Sequence, residues 1–255
     1  MAFEPKGTGY PQLIPEDGIF SNSSTAKYPL GMLAMDVNGN EYRYIKAAEA
    51  LAVGELVTNT VMATWDTTVV TDGAVAVGDT VIHIDTTTSA FTANQYAGYY
   101  VGQAVAASKG FLHRIKAHDS VVAATGEVDL ILDHAAMEVI ADGVALLIYH
   151  PYVVELTDAV TENIAGVAIG TITSAYYGFV QVGGVHPGVL CDGSNGTAVV
   201  LNESIVPYGT DPGQGQGYAT ADEAGDMEVA NSPLIALEAS TVDAGYVPAR
   251  FTRRC

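Results

Sequence analysis

No window of this chain carries apolar residues at i, i+3, i+4 and i+7 for long enough to bury one helical face. It offers instead short runs rich in Val, Ile, Thr and Tyr, punctuated by Gly, Asp and Asn. They are "EYRYIKA", "TVIHIDTTT", "GEVDLILD", "GVALLIYH", "YVVELT", "AGVAIGTI", "GFVQV", "GVHPGVL", "TAVVLN" and "SPLIALEA". Each reads as a strand leaving a turn. The chain is therefore expected to be mainly β, with helices no longer than short pieces near "AAEALA", "AVAASKGFLHRI" and "TADEAGD". In "TVIHIDTTT", alternation places Val81, His83 and Asp85 on one face and Ile82 and Ile84 on the other.

Two local features refine the pattern. "ALAVGELV" (50–57) and "AVAVGDTV" (74–81) share Ala, Ala, Val, Gly and Val in register, and Gly followed by an acid is a turn signal. Two copies are too few for a solenoid. "YYGFVQVGGVHPGVL" (176–190) contains no Asp, Glu, Lys or Arg. Val180 and Val182 share one phase, and Val185, Pro187 and Val189 another. The slip at Gly183–Gly184 requires a two-residue hairpin or a bulge. Pro187 lacks an N–H, so the second strand belongs at an edge or beside a bulge. The stretch reads as a sheet corner.

Domain organisation follows from composition. Residues 1–40 hold Pro5, Pro11, Pro15 and Pro29, which favour extended or turn geometry. The same residues carry Phe3, Tyr10, Leu13, Ile14, Ile19, Phe20 and Tyr28. An extended arm with spaced anchors suits lying across a neighbour and ordering on contact; the alternative is packing on its own domain. A β-rich body spans 41–249, with an insertion at about 62–150 that allows two subdomains. Residues 250–255 form a basic tail with Arg250, Arg253 and Arg254, able to dock on an acidic neighbour or to fray.

Charge excludes some partners. The formal net charge is -19, and no Lys or Arg lies between Lys116 and Arg250. Phosphate backbones require clustered cations, so neither nucleic acid nor an anionic membrane is an expected partner. No apolar run reaches the roughly 18–20 residues that span a bilayer, and the start "MAFEPKGTGYPQ" lacks a secretory-signal pattern. A soluble protein without a standard export signal is expected.

Catalytic constellations are not legible. His83 with Asp85 forms a pair without a third ligand. His113 and His118 fit neither one helical face nor a zinc motif, and Asp133, His134 and Glu138 lack a partner set. "YGTDPGQGQGY" (208–218) lacks the Lys-Ser/Thr of a phosphate loop and reads as a flexible surface loop. Cys191 and Cys255 lie in no metal spacing and are not paired with a histidine. The Asp-rich stretches "TDGAVAVGD" and "CDGSNG" lack EF-hand spacing. His186 reads as a solvated or packed histidine. No catalytic residue, cofactor or metal is expected.

"YRYIKAAEALAVGELV" followed later by "ENIAGVAIGTITSAYYGFVQVGGVHPGVL" resembles the capsid decoration (cement) proteins of tailed bacteriophages. The matching positions are Gly54–Glu55, Gly166–Val167–Ala168 and Gly178 through Gly183. The likeness runs from about Glu41 to Leu201 around a large insertion, roughly half of the chain. It implies a β-sandwich or β-barrel-like body of β-tulip or jelly-roll type. It further implies a homo-oligomer, often a trimer, made in the host cytoplasm, that clamps major capsid protein subunits on the outer surface of the virion. Phe3, Tyr10, Leu13, Ile14, Phe20, Tyr28, Tyr176, Tyr177, Phe179, Arg250, Arg253 and Arg254 are the candidate contact residues. A tail, neck or fibre component, or a carbohydrate-binding or hydrolytic β domain lined by tyrosines, are the alternatives.

Overall fold

The computed structural model of the chain describes residues 12–13, 16–61, 69–86, 92–103, 112–120, 126–158, 163–192, 198–208, 211–217, 233–239 and 245–252. The first elements are β1 (Gln12–Leu13), α1 (Glu16–Ile19), β2 (Leu33–Met35), β3 (Glu41–Ala47) and β4 (Leu56–Val61). Then follow β5 (Val69–Thr71), β6 (Val81–Thr86), β7 (Tyr100–Gln103), β8 (His113–Ala117), β9 (Gly126–Leu132) and β10 (Leu146–Leu156). The last are β11 (Gly166–Ala168), β12 (Tyr177–Gly183), β13 (Val185–Cys191), β14 (Ile205–Pro207), β15 (Gly215–Gly217), β16 (Leu234–Ala236) and β17 (Gly245–Phe251). The protein is mainly β with barrel-like sheets, as expected. Among the described residues no helix is long and apolar enough to cross a membrane. The "AAEALA" stretch forms no helix: Ala48 donates to the Val154 carbonyl, and Leu51 exchanges backbone bonds with Ile172.

The chain divides into two units, Val61–His150 and the remainder. In the remainder, β3, β12, β11, β4 and β10 follow one another, and β10 pairs back onto β3 through Val153 opposite Lys46. This ring leaves no free edge, the usual remedy for exposed strand polarity. Ile45, Ala47, Leu51, Val57, Val154, Ala168, Ile172, Val180 and Val182 fill one cluster of its core. A second sheet runs β14-β15-β13-β17-β16 and closes through the Ser204–Ile235 bridge. Leu56 and Val167 of the first ring join Val189, Cys191, Ile205, Leu234 and Val247 of the second in a shared core.

The stretch 176–190 is the passage between these two sheets. β12 pairs with β3 and β11, whereas β13 pairs with β15 and β17. Of the two options at the glycine pair, the bulge is realised: the register of β12 against β3 shifts between Gln181 and Gly183. No hairpin joins β12 to β13. A second shift between His186 and Val189 accommodates Pro187.

The near-repeat is one turn used twice. Ala52–Glu55 and Ala76–Asp79 each close with an N–H of the fourth residue on the carbonyl of the first. In both, the acid accepts the N–H of the first residue. The third residue, Gly54 or Gly78, has φ of +84 or +104, and with a side chain of ordinary φ before it this is a type II turn. Val200–Glu203 is a third copy, with Asn202 at φ +65 and Glu203 accepting the Val200 N–H. The second residue of each turn, Val53, Val77 or Leu201, is exposed.

The Gly-rich segment is not a flexible loop over its described residues. Gly215–Gly217 forms β15 within the second sheet. A Cβ on Gly215 would come within 2.6 Å of the Ile205 side chain, so the glycine lets the strand approach the core. Residues 16–40 also differ from a free arm. β2 pairs with β3, and Ile19 and Ala34 are buried with Tyr42, Tyr44 and Phe179. Residues 16–40 thus pack on their own unit, because the spaced anchors find an apolar face there. Residues 1–11, 14 and 15 lie outside the described residues.

The unit Val61–His150 spans nearly the residues at which an insertion was expected. Its strands follow the order β10-β7-β8-β9-β6-β5, and Val70 of β5 bridges Ala145 just before β10. This sheet also closes on itself, around Ile82, Ile84, Val101, Ile115, Leu130, Leu146 and Ile148. Strand directions alternate from β3 through β12 and β11 to β4, while β10 is parallel to β3. β4 and β10 are therefore antiparallel neighbours in the first ring, and the inserted unit occupies the loop of a β-hairpin. Replacing residues 62–150 by a short Asn-Gly turn should leave the first unit folded, since such a turn closes a hairpin unaided. The check is a dispersed amide NMR spectrum with a cooperative melt; a collapsed spectrum would show that the insertion is needed for folding.

Candidate docking groove

A groove of about 550 Å³ opens in the first unit, built from segments far apart in sequence. Its polar floor begins where β2 ends. The Asp36 Oδ1 accepts the N–H groups of Asn38 and Asn40 at 2.8 and 2.9 Å. Its Oδ2 accepts the Asn40 amide and the Tyr42 hydroxyl at 2.8 and 2.9 Å. Burial by itself raises the pKa of this carboxyl, but the bonds from Asn40, Tyr42 and Asn38 outweigh it and hold the group below its ordinary value. Asn40 completes the network by accepting the Val185 N–H on its Oδ1 at 3.0 Å. The turn before β3 is thereby fastened to the start of β13.

His186 lines the same groove and is only 1% exposed. Its Nδ1 accepts the Gly188 N–H at 3.1 Å, so the neutral ring carries its proton on Nε2. Burial pushes its pKa down to about 4, opposed by backbone hydrogen bonding with Ala168. This is a packed, neutral histidine tying β13 to β11. Gln181 donates its Nε2 to the Gly183 carbonyl at 2.9 Å, which leaves its Oε1 as an acceptor on the groove floor.

The rim is apolar. Phe20 is 58% and Tyr246 59% exposed, and Val53 and Val185 are exposed beside them. Ile19, Ile169 and Pro187 add further apolar lining. The Tyr246 ring rests on glycine: a Cβ on Gly54 would stand 2.9 Å from its Cε1, and one on Gly188 would stand 3.2 Å from its Cδ1. Along Val185–Gly188 the N–H groups of Val185 and Gly188 are taken by side chains, and Pro187 has none. This stretch of β13 is thus blunted against strand addition.

The candidate residues fall into separate groups. Phe20 is on the groove rim. Phe179 is a core residue, in ring contact with Tyr44 at 5.0 Å and Tyr28 at 5.8 Å, which corrects its reading as a contact residue. Tyr28 lies edge-on to Tyr44 at 5.2 Å, and half-buried Tyr177 stacks on Tyr44 at 6.2 Å. Tyr176 is half-buried against the first ring's core. Arg250 is exposed in β17 opposite Val185 and Ile235. Leu13 lies in β1 beside Met35. Phe3, Tyr10, Ile14, Arg253 and Arg254 lie outside the described residues.

The titratable candidates gather into no catalytic or metal-binding set, although His113 lies within electrostatic range of Glu138. His83 contacts Asp129 across β6 and β9 at 2.6 Å, and its partner is not Asp85. His113, His118 and Glu138 are buried, and Asp133 contacts Arg114 at 3.1 Å. Among the described residues no three His, Cys, Asp or Glu side chains gather as a metal site would require. Val53, Val185 and Tyr246 are not among the contact candidates that the sequence suggests. The available signal was the near-repeat, whose type II turn turns Val53 outward. No protein family, curated protein or solved structure matches the chain.

Proposed function

We propose that this chain is a structural protein of a tailed-phage virion, which decorates the outer surface of the capsid and stabilises it by bridging major capsid subunits. The observation that carries the reading is the groove: exposed Phe20, Val53, Val185 and Tyr246 surround polar groups largely engaged with one another. Such a surface gains by covering apolar area and does little hydrogen bonding with a sugar, which favours a protein partner over a glycan. The turn-and-strand resemblance supports a capsid setting, and the cation-free interval from Lys116 to Arg250 supports an outward, DNA-free position. In this reading the chain works as a homo-oligomer, a trimer by resemblance, with no catalytic role or cofactor.

Co-sedimentation with purified capsid shells and with purified tail tubes tests the proposal. Binding to shells is expected, and a Val53→Asp, Val185→Asp double variant should retain fewer than about a tenth of the bound copies, as loss of roughly 1.5 kcal/mol or more at a buried apolar contact implies. Binding to tail tubes alone would point to the tail or neck alternative. Undiminished shell binding by the double variant would remove the groove from the docking surface.

A further inference from the structure

The groove has a chemical polarity that narrows its occupant. No Lys or Arg is among its lining residues, and its one charged side chain is the Asp36 carboxylate. That carboxylate is kept ionised by four donors from Asn38, Asn40 and Tyr42. The Asn40 amide, the Tyr42 hydroxyl and the Val185 and Gly188 N–H groups are spent on Asp36, Asn40 and His186, while Gln181 Oε1 remains as an acceptor. Exposed Phe20 and Tyr246 add aromatic surface. A surface of acceptors, aromatic faces and negative charge complements an occupant that brings donors, apolar side chains and positive charge.

From this complementarity we infer that the groove receives a basic-apolar segment of a protein partner, an Arg or Lys flanked by aliphatic or aromatic side chains. The inference rests on the reading of the groove as a protein-docking site. The apolar side chains cover Phe20, Val53, Val185 and Tyr246, while the cation lies over an aromatic face within the field of Asp36. Arg suits the position better than Lys, because its weakly hydrated planar guanidinium stacks on rings and donates several bonds at once. The blunted Val185–Gly188 edge means that the segment is held through side chains and not by adding a strand. An acidic segment is disfavoured twice, by Asp36 and by the net charge of -19.

The test is calorimetric titration of the full chain with three acetylated hexapeptides: Leu-Arg-Phe-Arg-Leu-Ala, its analogue with Glu for each Arg, and its analogue with Ala for Leu and Phe. The first should bind at least tenfold tighter than either of the others. A Phe20→Lys, Val53→Lys double variant, which changes two exposed side chains and should melt as the parent does, is expected to lose that affinity tenfold. Equal or tighter binding of the Glu analogue would overturn the inference. So would equal binding of the Ala analogue, indifference to the double variant, or absence of binding by all three. Shell co-sedimentation of the same double variant separates the two levels. Lost attachment combined with failed peptide selectivity leaves the docking site standing and removes the basic-apolar occupant. Retained attachment removes the docking site itself.

Discussion

A chain beginning at Asn38 should fail to fold its first unit. The deletion removes Ile19 and Ala34 from the cluster with Tyr42, Tyr44 and Phe179, and it strips Tyr28 from the faces of Tyr44 and Phe179. It also takes β2 away from the Glu41–Arg43 edge of β3 and removes Asp36 from beneath Asn40 and Tyr42. Burial of a side chain such as Ile19 contributes about 2 kcal/mol, and exposing three aromatic residues adds several more. The sum is comparable with the roughly 5–15 kcal/mol that stabilises a typical domain. A weakened tyrosine near-UV dichroism and loss of the first unit's cooperative urea transition are expected. A truncated chain whose urea midpoint stays within about 0.5 M of the parent's would return these residues to the role of a dispensable arm. As a milder check, Ile19→Ala should lower stability by about 2–5 kcal/mol.

Acidification should weaken the first unit between pH 6.5 and about 4 through His186. In the folded protein its pKa is depressed from 6.5 to about 4 by burial. The unfolded chain therefore binds the extra proton first as the pH falls. The associated stability is complete above pH 6.5, declines through the window, and is gone below about 4. A shift of this size corresponds to about 3 kcal/mol. The depressed Asp36 carboxyl acts at lower pH, keeping its contribution above the ordinary carboxylate range and losing it as acid protonates the group. His113 is also depressed, by burial opposed by Glu138, and acts in the same direction within the inserted unit. Comparison with a His186→Gln variant cancels that contribution. The variant should be less stable at pH 7 yet lose roughly 3 kcal/mol less than the parent between pH 7 and 4. Parallel losses in the two proteins would show that His186 does not report the window.

The strands were legible where their signals are local. Alternation in "TVIHIDTTT" separates Ile82 and Ile84 from His83, and the structure buries the two isoleucines and exposes His83, because one face of β6 meets a core and the other meets water. The corner at 183–184 was legible for the same reason: a period-two pattern records its own phase slip. Ring closure was not. It depends on bridges such as Val70 with Ala145 and Ser204 with Ile235, whose partners share no local pattern. The Gly-rich stretch misled because glycine marks both loops and strands that approach a core closely, and only the neighbouring Ile205 distinguishes them at Gly215. Val200–Glu203 escaped the repeat because Asn replaces Gly at the positive-φ position. The groove was illegible as a unit, since Phe20, Asp36, Val53, Gln181, His186 and Tyr246 meet only after both sheets have formed. Phe179 was misread because an aromatic in an uncharged strand fits an interface and a core equally well.

The central claim is attachment to the outer capsid surface through the groove face, and imaging tests it most directly. Cryo-electron microscopy of tailed-phage particles assembled with and without this protein should show difference density on the outer face of the head. The first unit should be oriented so that Phe20, Val53, Val185 and Tyr246 meet a capsid subunit. Density confined to the tail or neck, or a head-bound protein whose groove faces solvent, would contradict the account.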